Sequence, residues 1–214
     1  MQIQDYIDHT ILKPTATTQD IEQLCLEAKD NEFYAVCVNG CYVNLAKEKL
    51  QNSLIKVAAV IGFPLGAMST KSKINEAVDC VSNGADEIDM VINIGWLKSG
   101  RYNLVEDEIT MIKKAIGDTT LKVIIETCFL TEEEKLIAIK ATLNAKADFV
   151  KTSTGFGTGG ATLEDIKLMK SVVGNSVKIK ASGGIKDRGT ALKYIALGVS
   201  RIGTSSGVTI VSKK

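Results

Sequence analysis

Lys151, Lys180 and Asp89 are the side chains in this sequence whose types and positions combine into one chemistry. Lys151 lies near the end of the β-type run "DFVKTS" (148–153), just before the glycine-rich "GFGTGG" (155–160), and Lys180 lies in "VKIKAS" (177–182), just before Gly183 and Gly184. Alternation sets Lys151 opposite Val150 and Lys180 opposite Ile179, so both lysines point inward if the apolar residues face an outer layer of helices. In "EIDMVIN" (87–93) the same rule sends Ile88, Met90 and Ile92 outward and Glu87, Asp89, Val91 and Asn93 inward. Neighbouring strands run about 4.8 Å apart, which brings the two amines within electrostatic reach of each other.

A lysine at its ordinary pKa of about 10.4 is protonated and unreactive at neutral pH. A second ammonium nearby, together with desolvation, disfavours that charge, and the neutral amine can then attack a carbonyl. The resulting imine draws electrons from the adjacent carbon, so a carbon–carbon bond beta to it breaks or forms. Asp89 and Lys180 suit the accompanying proton transfers, directly or through one water. Competing readings stand beside these: an internal ion pair with Asp89 for Lys151, a phosphate ligand for Lys180, and a capped turn or salt bridge for Asp89. Glu126 is expected to face inward as a satisfied structural carboxylate, in preference to a catalytic base.

The elements that must position these groups recur with a steady beat. Short β-type runs occupy 8–12, 34–38, 56–63, 87–93, 122–127, 148–153, 177–182 and 200–205, and amphipathic stretches cover 17–30, 71–84, 102–117, 131–145, 162–174 and 187–198. Thr131 and Thr162, each followed by acids, read as helix starts, while Gly84, Gly117, Gly174 and Gly198 read as helix ends. Eight β–α units without a linker or low-complexity stretch predict one domain over residues 1–214, an α/β fold of the (β/α)8 TIM-barrel type. The rival is a doubly wound open sheet. Gly155, Gly157 and Gly160 satisfy a G-x-G-x-x-G spacing, yet the acid expected about 20 residues on is absent, which argues against a dinucleotide fold.

Two further glycine loops follow the seventh and eighth strands, "ASGGIKD" (181–187) and "RIGTSSG" (201–207), where such barrels commonly bind phosphate. Gly183, Gly184, Gly203, Thr204, Ser205 and Ser206 therefore form the predicted phosphate cradle. The serines are also placed to cap a short helix from 205 to the C-terminal end, and the 155–160 loop to close over the sugar phosphate.

Composition excludes several classes. The 26 basic and 25 acidic residues nearly cancel and show no basic stripe with aromatics, which disfavours nucleic acid and anionic membranes. The N-terminal stretch carries acids in place of a signal sequence's apolar core, and the longest apolar run, 57–68, is broken by Gly62, Pro64 and Gly66, so a cytoplasmic location is expected. Five scattered cysteines, odd in number, read as buried reduced thiols, and with His9 the only histidine no metal site is expected.

The segments "DEIDMVINIG", "FVKTSTGFGTGGAT", "KIKASGGI" and "RIGTSSG", in this order, resemble the signature segments of the deoxyribose-phosphate aldolase family, and the similarity runs from "DHTILK" to "GTSSGV". The resemblance implies a class I aldolase on a (β/α)8 barrel in which Lys151 forms the imine and Lys180 and Asp89 relay protons with water. It also places Asp8 and Thr10 near the substrate, with Gly155 on the loop that follows Lys151. The implied reaction is reversible cleavage of 2-deoxy-D-ribose 5-phosphate to D-glyceraldehyde 3-phosphate and acetaldehyde with no cofactor, by a homo-oligomer, a dimer being favoured. A phosphosugar isomerase on the same barrel, with Glu126 as base, is the alternative. The sequence departs from the family in three places: the last tyrosine is Tyr194, where some members end in a tyrosine that assists proton transfer; Gly40 and Cys41 follow Asn39, where members often carry proline after the asparagine; and Phe156 follows "STG", where some members carry a phosphate-binding lysine.

Overall fold

A computed structural model describes residues 2–212. Its eight parallel strands form a closed barrel in chain order. They are β1 (Ile7–Thr10), β2 (Ala35–Asn39), β3 (Lys56–Ile61), β4 (Glu87–Val91), β5 (Thr120–Ile124), β6 (Phe149–Lys151), β7 (Lys178–Ser182) and β8 (Arg201–Thr204). Helices α1 (Thr18–Asp30), α2 (Val43–Lys49), α3 (Thr70–Ser82), α4 (Ile94–Lys98), α5 (Tyr102–Ile116), α6 (Glu132–Asn144), α7 (Leu163–Val173), α8 (Arg188–Ala196) and α9 (Gly207–Val211) connect and cover the strands. The fold is a (β/α)8 TIM barrel, and the open-sheet alternative falls with the pairing of β8 to β1.

Local chemistry sets the helix ends. Thr131 and Glu134 form a capping box at the start of α6, and the Thr162 hydroxyl accepts from the Asp165 amide at the start of α7. Gly117 and Gly174 close α5 and α7 at positive φ. The main core lies between barrel and helices, where Ile88, Met90, Val150 and Ile179 meet Ile21, Ile109, Ile139 and Ile166. Burying each such side chain contributes about 1.5–3 kcal/mol, which fixes the parity of every strand and thereby points the alternate residues into the barrel.

The barrel interior is divided. On the β1 to β3 side Leu12, Cys37, Ala58 and Val60 form a small apolar cluster, whereas β1 and β4 to β8 contribute the buried charges Asp8, Glu87, Asp89, Lys122, Lys151, Lys180 and Arg201.

Several expected boundaries move for identifiable reasons. The fourth strand stops at Val91 because Asn93, expected inside the barrel, caps α4 by accepting from the Trp96 amide. The fifth starts at Thr120 and ends at Ile124, and the chain turns at Glu126 in a left-handed conformation. Helices α2 and α4, seven and five residues long, are too short to show a periodic pattern. Not every thiol is buried: Cys41 is exposed and Cys128 half-buried, and all five cysteines are free.

Candidate active site

Asp89 is the centre of the site. From β4 its Oδ1 accepts from Lys122 Nζ of β5 at 2.7 Å, and its Oδ2 accepts from Lys151 Nζ of β6 at 2.7 Å and Lys180 Nζ of β7 at 2.8 Å. The register sets Asp89 opposite Lys122 and Lys151 opposite Lys180, with Lys151 two residues beyond Phe149, the partner of Lys122. Three amines therefore share one carboxylate, and what distinguishes them is the company each keeps besides Asp89.

Lys122 also contacts Glu87 Oε2 at 2.6 Å, and Lys180 also contacts Asp8 Oδ2. Among the described residues Lys151 has no second acid. Burial opposes the charged form of all three, as it must for an ammonium out of water. For Lys180, Asp8 and Asp89 outweigh burial and raise the pKa above the ordinary lysine range, and Asp89, Glu87 and Asp8 do the same for Lys122. For Lys151 burial wins, aided by the Lys180 charge against the pull of Asp89, and the pKa falls below the ordinary range. Burial disfavours the Asp89 carboxylate, but Lys122, Lys151 and Lys180 together hold its pKa well below the usual carboxylate value. Of the two causes expected from the sequence, a second ammonium and desolvation, burial is the larger and Lys180 adds to it.

Lys151 opens onto a cavity of about 410 Å³ at the C-terminal ends of the strands, lined also by Thr10, Gly155, Phe156, Gly183, Gly184 and the 203–205 segment. Gly155, Gly183 and Gly184 all adopt positive φ. The 155–160 loop is held from behind, where Glu126 accepts from the Thr154 amide at 3.2 Å and from the Thr154 hydroxyl. Gly160 packs directly on Gly183, so closely that a Cβ on Gly160 would lie 2.2 Å from the Gly183 carbonyl oxygen. Phe156 is half exposed on the cavity wall, edge-on to Phe63 with ring centroids 5.3 Å apart.

The predicted residues separate into three groups. Lys151, Lys180 and Asp89 come together as expected, as do Thr10, Gly155, Gly183, Gly184, Gly203, Thr204 and Ser205 around the cavity. Asp8, expected near the substrate, lies fully buried below the cavity with Oδ1 on Arg201 and Oδ2 on Lys180. Ser206 stands at the start of α9 without capping it through its side chain, is absent from the cavity wall, and donates its amide to the Thr204 hydroxyl at 2.9 Å. The end of the expected C-terminal helix, residues 213–214, lies outside the described residues. Sequence reasoning passed over Lys122, Arg201, Lys13 and Lys186. Lys122 shares the parity of Ile124 in β5, and Lys186 directly follows the glycine pair, so both carried a signal; Lys13 and Lys186 line the cavity mouth. Glu126 accepts from Thr154.

Comparison with known proteins agrees with this geometry. The family model described as "DeoC/LacD family aldolase" matches residues 3–212. A protein of Brevibacillus brevis named deoxyribose-phosphate aldolase is 55% identical over 212 residues, covering 99% of this chain and 96% of that one. Among solved structures, "QR15, an aldolase" superposes with a TM-score of 0.94 at 44% identity, covering 98% of this chain and 94% of its own. The tetrameric deoxyribose phosphate aldolase of Aeropyrum pernix does so with a TM-score of 0.87 at 30% identity, covering 97% and 88%.

Proposed function

This chain belongs to the DeoC/LacD aldolase family, and on that premise we propose that it is a deoxyribose-phosphate aldolase, cleaving 2-deoxy-D-ribose 5-phosphate reversibly to D-glyceraldehyde 3-phosphate and acetaldehyde. The observation that carries the reading is that, of the three amines on Asp89, only Lys151 borders the cavity and only Lys151 is displaced toward its neutral form. Neutral Lys151 attacks the C1 aldehyde of the open-chain sugar, and loss of water gives a protonated imine. Removal of the proton on the C3 hydroxyl then breaks the C2–C3 bond. The bonding pair moves into the imine as an enamine, and glyceraldehyde 3-phosphate leaves. Protonation at C2 and hydrolysis of the imine release acetaldehyde and return the free amine.

Lys180, kept charged by Asp8 and Asp89, is the proton donor of the relay, and Asp89, kept ionised, is its acceptor partner, with water reaching the substrate. The phosphate end lies among the backbone amides of Gly183, Gly184 and 203–205, with Lys186 and Lys13 supplying positive charge and Phe156 an apolar wall. The isomerase alternative finds no support: its base would be Glu126, whose carboxylate is occupied by Thr154, and the relatives are aldolases. The chain assembles as a homo-oligomer, a dimer on the sequence reading, whereas the Aeropyrum pernix relative is tetrameric; light scattering gives the subunit number. The free thiols among the described residues suit a cytoplasmic location.

Borohydride added with the substrate should fix two carbons on Lys151, detected by peptide mapping. Lys151→Arg should abolish the label and lower turnover by about 10³-fold or more. An unlabelled Lys151 in an active preparation overturns the assignment.

A further inference from the structure

The buried charges beneath Lys151 close into a ring. Asp8 Oδ1 accepts from Arg201 Nη1 at 2.7 Å, and Arg201 Nη2 donates to Glu87 Oε1 at 2.8 Å. Glu87 Oε2 contacts Lys122 Nζ at 2.6 Å, Lys122 binds Asp89 Oδ1 at 2.7 Å, Asp89 Oδ2 binds Lys180 at 2.8 Å, and Lys180 returns to Asp8 Oδ2. Acid and base alternate without a break, three of each, and none is more than 4% exposed. The ring sums to zero. Lys151 hangs from it at Asp89 as a seventh group, so a charged Lys151 would leave one uncompensated positive charge in the barrel and a neutral one leaves none.

We propose that Arg201 and Glu87 are positioning residues for imine formation, closing this ring at the end of the barrel remote from the cavity so that Lys151 is the single amine left without a compensating acid. The inference rests on Lys151 being the imine-forming residue. Both residues open their strands, Glu87 at the start of β4 and Arg201 at the start of β8, while the cavity lies at the other end. Neither can touch substrate. Arg201 is further fixed by stacking on Tyr34, its guanidinium carbon 3.2 Å from the ring centroid. Other groups near the cluster stand outside the ring: Lys178, at the exposed start of β7, holds its Nζ 5.6 Å from the centroid of the Phe149 ring, which Arg201 also faces. Cys37 of β2 is a neutral thiol, its pKa raised by burial and by Asp89; β3 presents Ala58 and Val60; and the charges of Lys13 and Lys186 stand at the solvent-facing mouth.

The ring makes a prediction of sign that a merely structural role does not. Arg201→Met leaves the ring one negative charge in excess and favours charged Lys151; Glu87→Gln leaves one positive charge in excess and favours neutral Lys151. At about 10 Å, two strands away, and an effective dielectric of about 20, each change should move the Lys151 titration by about one pH unit. Reductive methylation of the full-length protein by formaldehyde and cyanoborohydride, followed at Lys151 by peptide mapping across pH, reads that midpoint without any need for turnover. The expected result is a midpoint raised in Arg201→Met, lowered in Glu87→Gln and near the unmodified protein's in the double variant. Single variants with intact far-UV circular dichroism that shift together, or do not shift, overturn the inference. Should Arg201→Met not fold, Glu87→Gln decides alone, a lowered midpoint supporting the ring and any other refuting it. Borohydride trapping with 2-deoxy-D-ribose 5-phosphate on the same proteins tests the aldolase reading separately: missing label beside opposed midpoints sinks that reading and leaves the ring standing.

Discussion

Replacing Lys180 with methionine should leave Lys151 charged at neutral pH and slow its reaction with aldehydes. Both amines sit within 2.8 Å of the same Asp89 oxygen. They are therefore no more than about 5.6 Å apart and repel by about 3 kcal/mol when both are charged at an effective dielectric of about 20. Removing Lys180 relieves that repulsion and leaves Asp89 Oδ2 to Lys151 alone, and both effects favour the ammonium. At 1.36 kcal/mol per pH unit, the neutral fraction of Lys151 should fall by about two decades at a pH below its pKa. The assay is the initial rate of borohydride-trapped imine at Lys151 with acetaldehyde, measured from mildly acid to strongly alkaline pH. The rate in Lys180→Met should be depressed near neutrality and recover toward the unmodified protein's as the pH rises. An unchanged midpoint would refute the electrostatic reasoning, and a rate depressed equally at every pH would assign Lys180 to proton transfer alone.

Further outcomes follow from the same geometry. Glu126→Gln should cost about 1–3 kcal/mol in urea unfolding by weakening the hold on Thr154, and should raise KM more than it lowers kcat; a collapse of kcat larger than that of Lys151→Arg would restore the isomerase reading. Lys73 and Glu108 form a fully buried pair at 2.6 Å between α3 and α5, and burial pushes the lysine pKa down and the carboxyl pKa up. Lys73→Met should therefore cost about 3–5 kcal/mol and Lys73→Met/Glu108→Leu much less, by denaturant titration. Asp8 and Asp89 have folded pKa values below the ordinary carboxylate value of about 3.9. Their contribution should be complete above that pH and fade as the pH falls through the folded values; thermal melts that hold constant through that acid range would contradict it.

The strands and their inward faces were legible because parity is a local property. Val150 and Ile179 had to meet the helices, so Lys151 and Lys180 had to face the other way, and no knowledge of neighbouring strands was needed. The partners of those lysines were not legible. Glu87 was placed inward, yet its pairing with Arg201 depends on two strands far apart in the chain meeting across a closed barrel, and that register is set by the shear of the whole sheet. The partners of Asp8 are hidden for the same reason: nothing in the first strand shows that Arg201 and Lys180, from the last two strands, meet its carboxylate. Asn93 went astray because a polar residue at a strand end can continue the alternation or start a helix, and the Trp96 amide settles which.

The contact between Gly160 and Gly183 carries a lesson for anyone who would remodel this protein. Ala161 donates its amide to the carbonyls of Ser182 and Gly183, both at 3.1 Å, and each glycine occupies space that any Cβ on the other would need. The sixth and seventh loops are thus one interlocked part made from two stretches of chain. Grafting a new version of either onto this scaffold, by recombination or by design, should succeed only when its counterpart is transplanted with it.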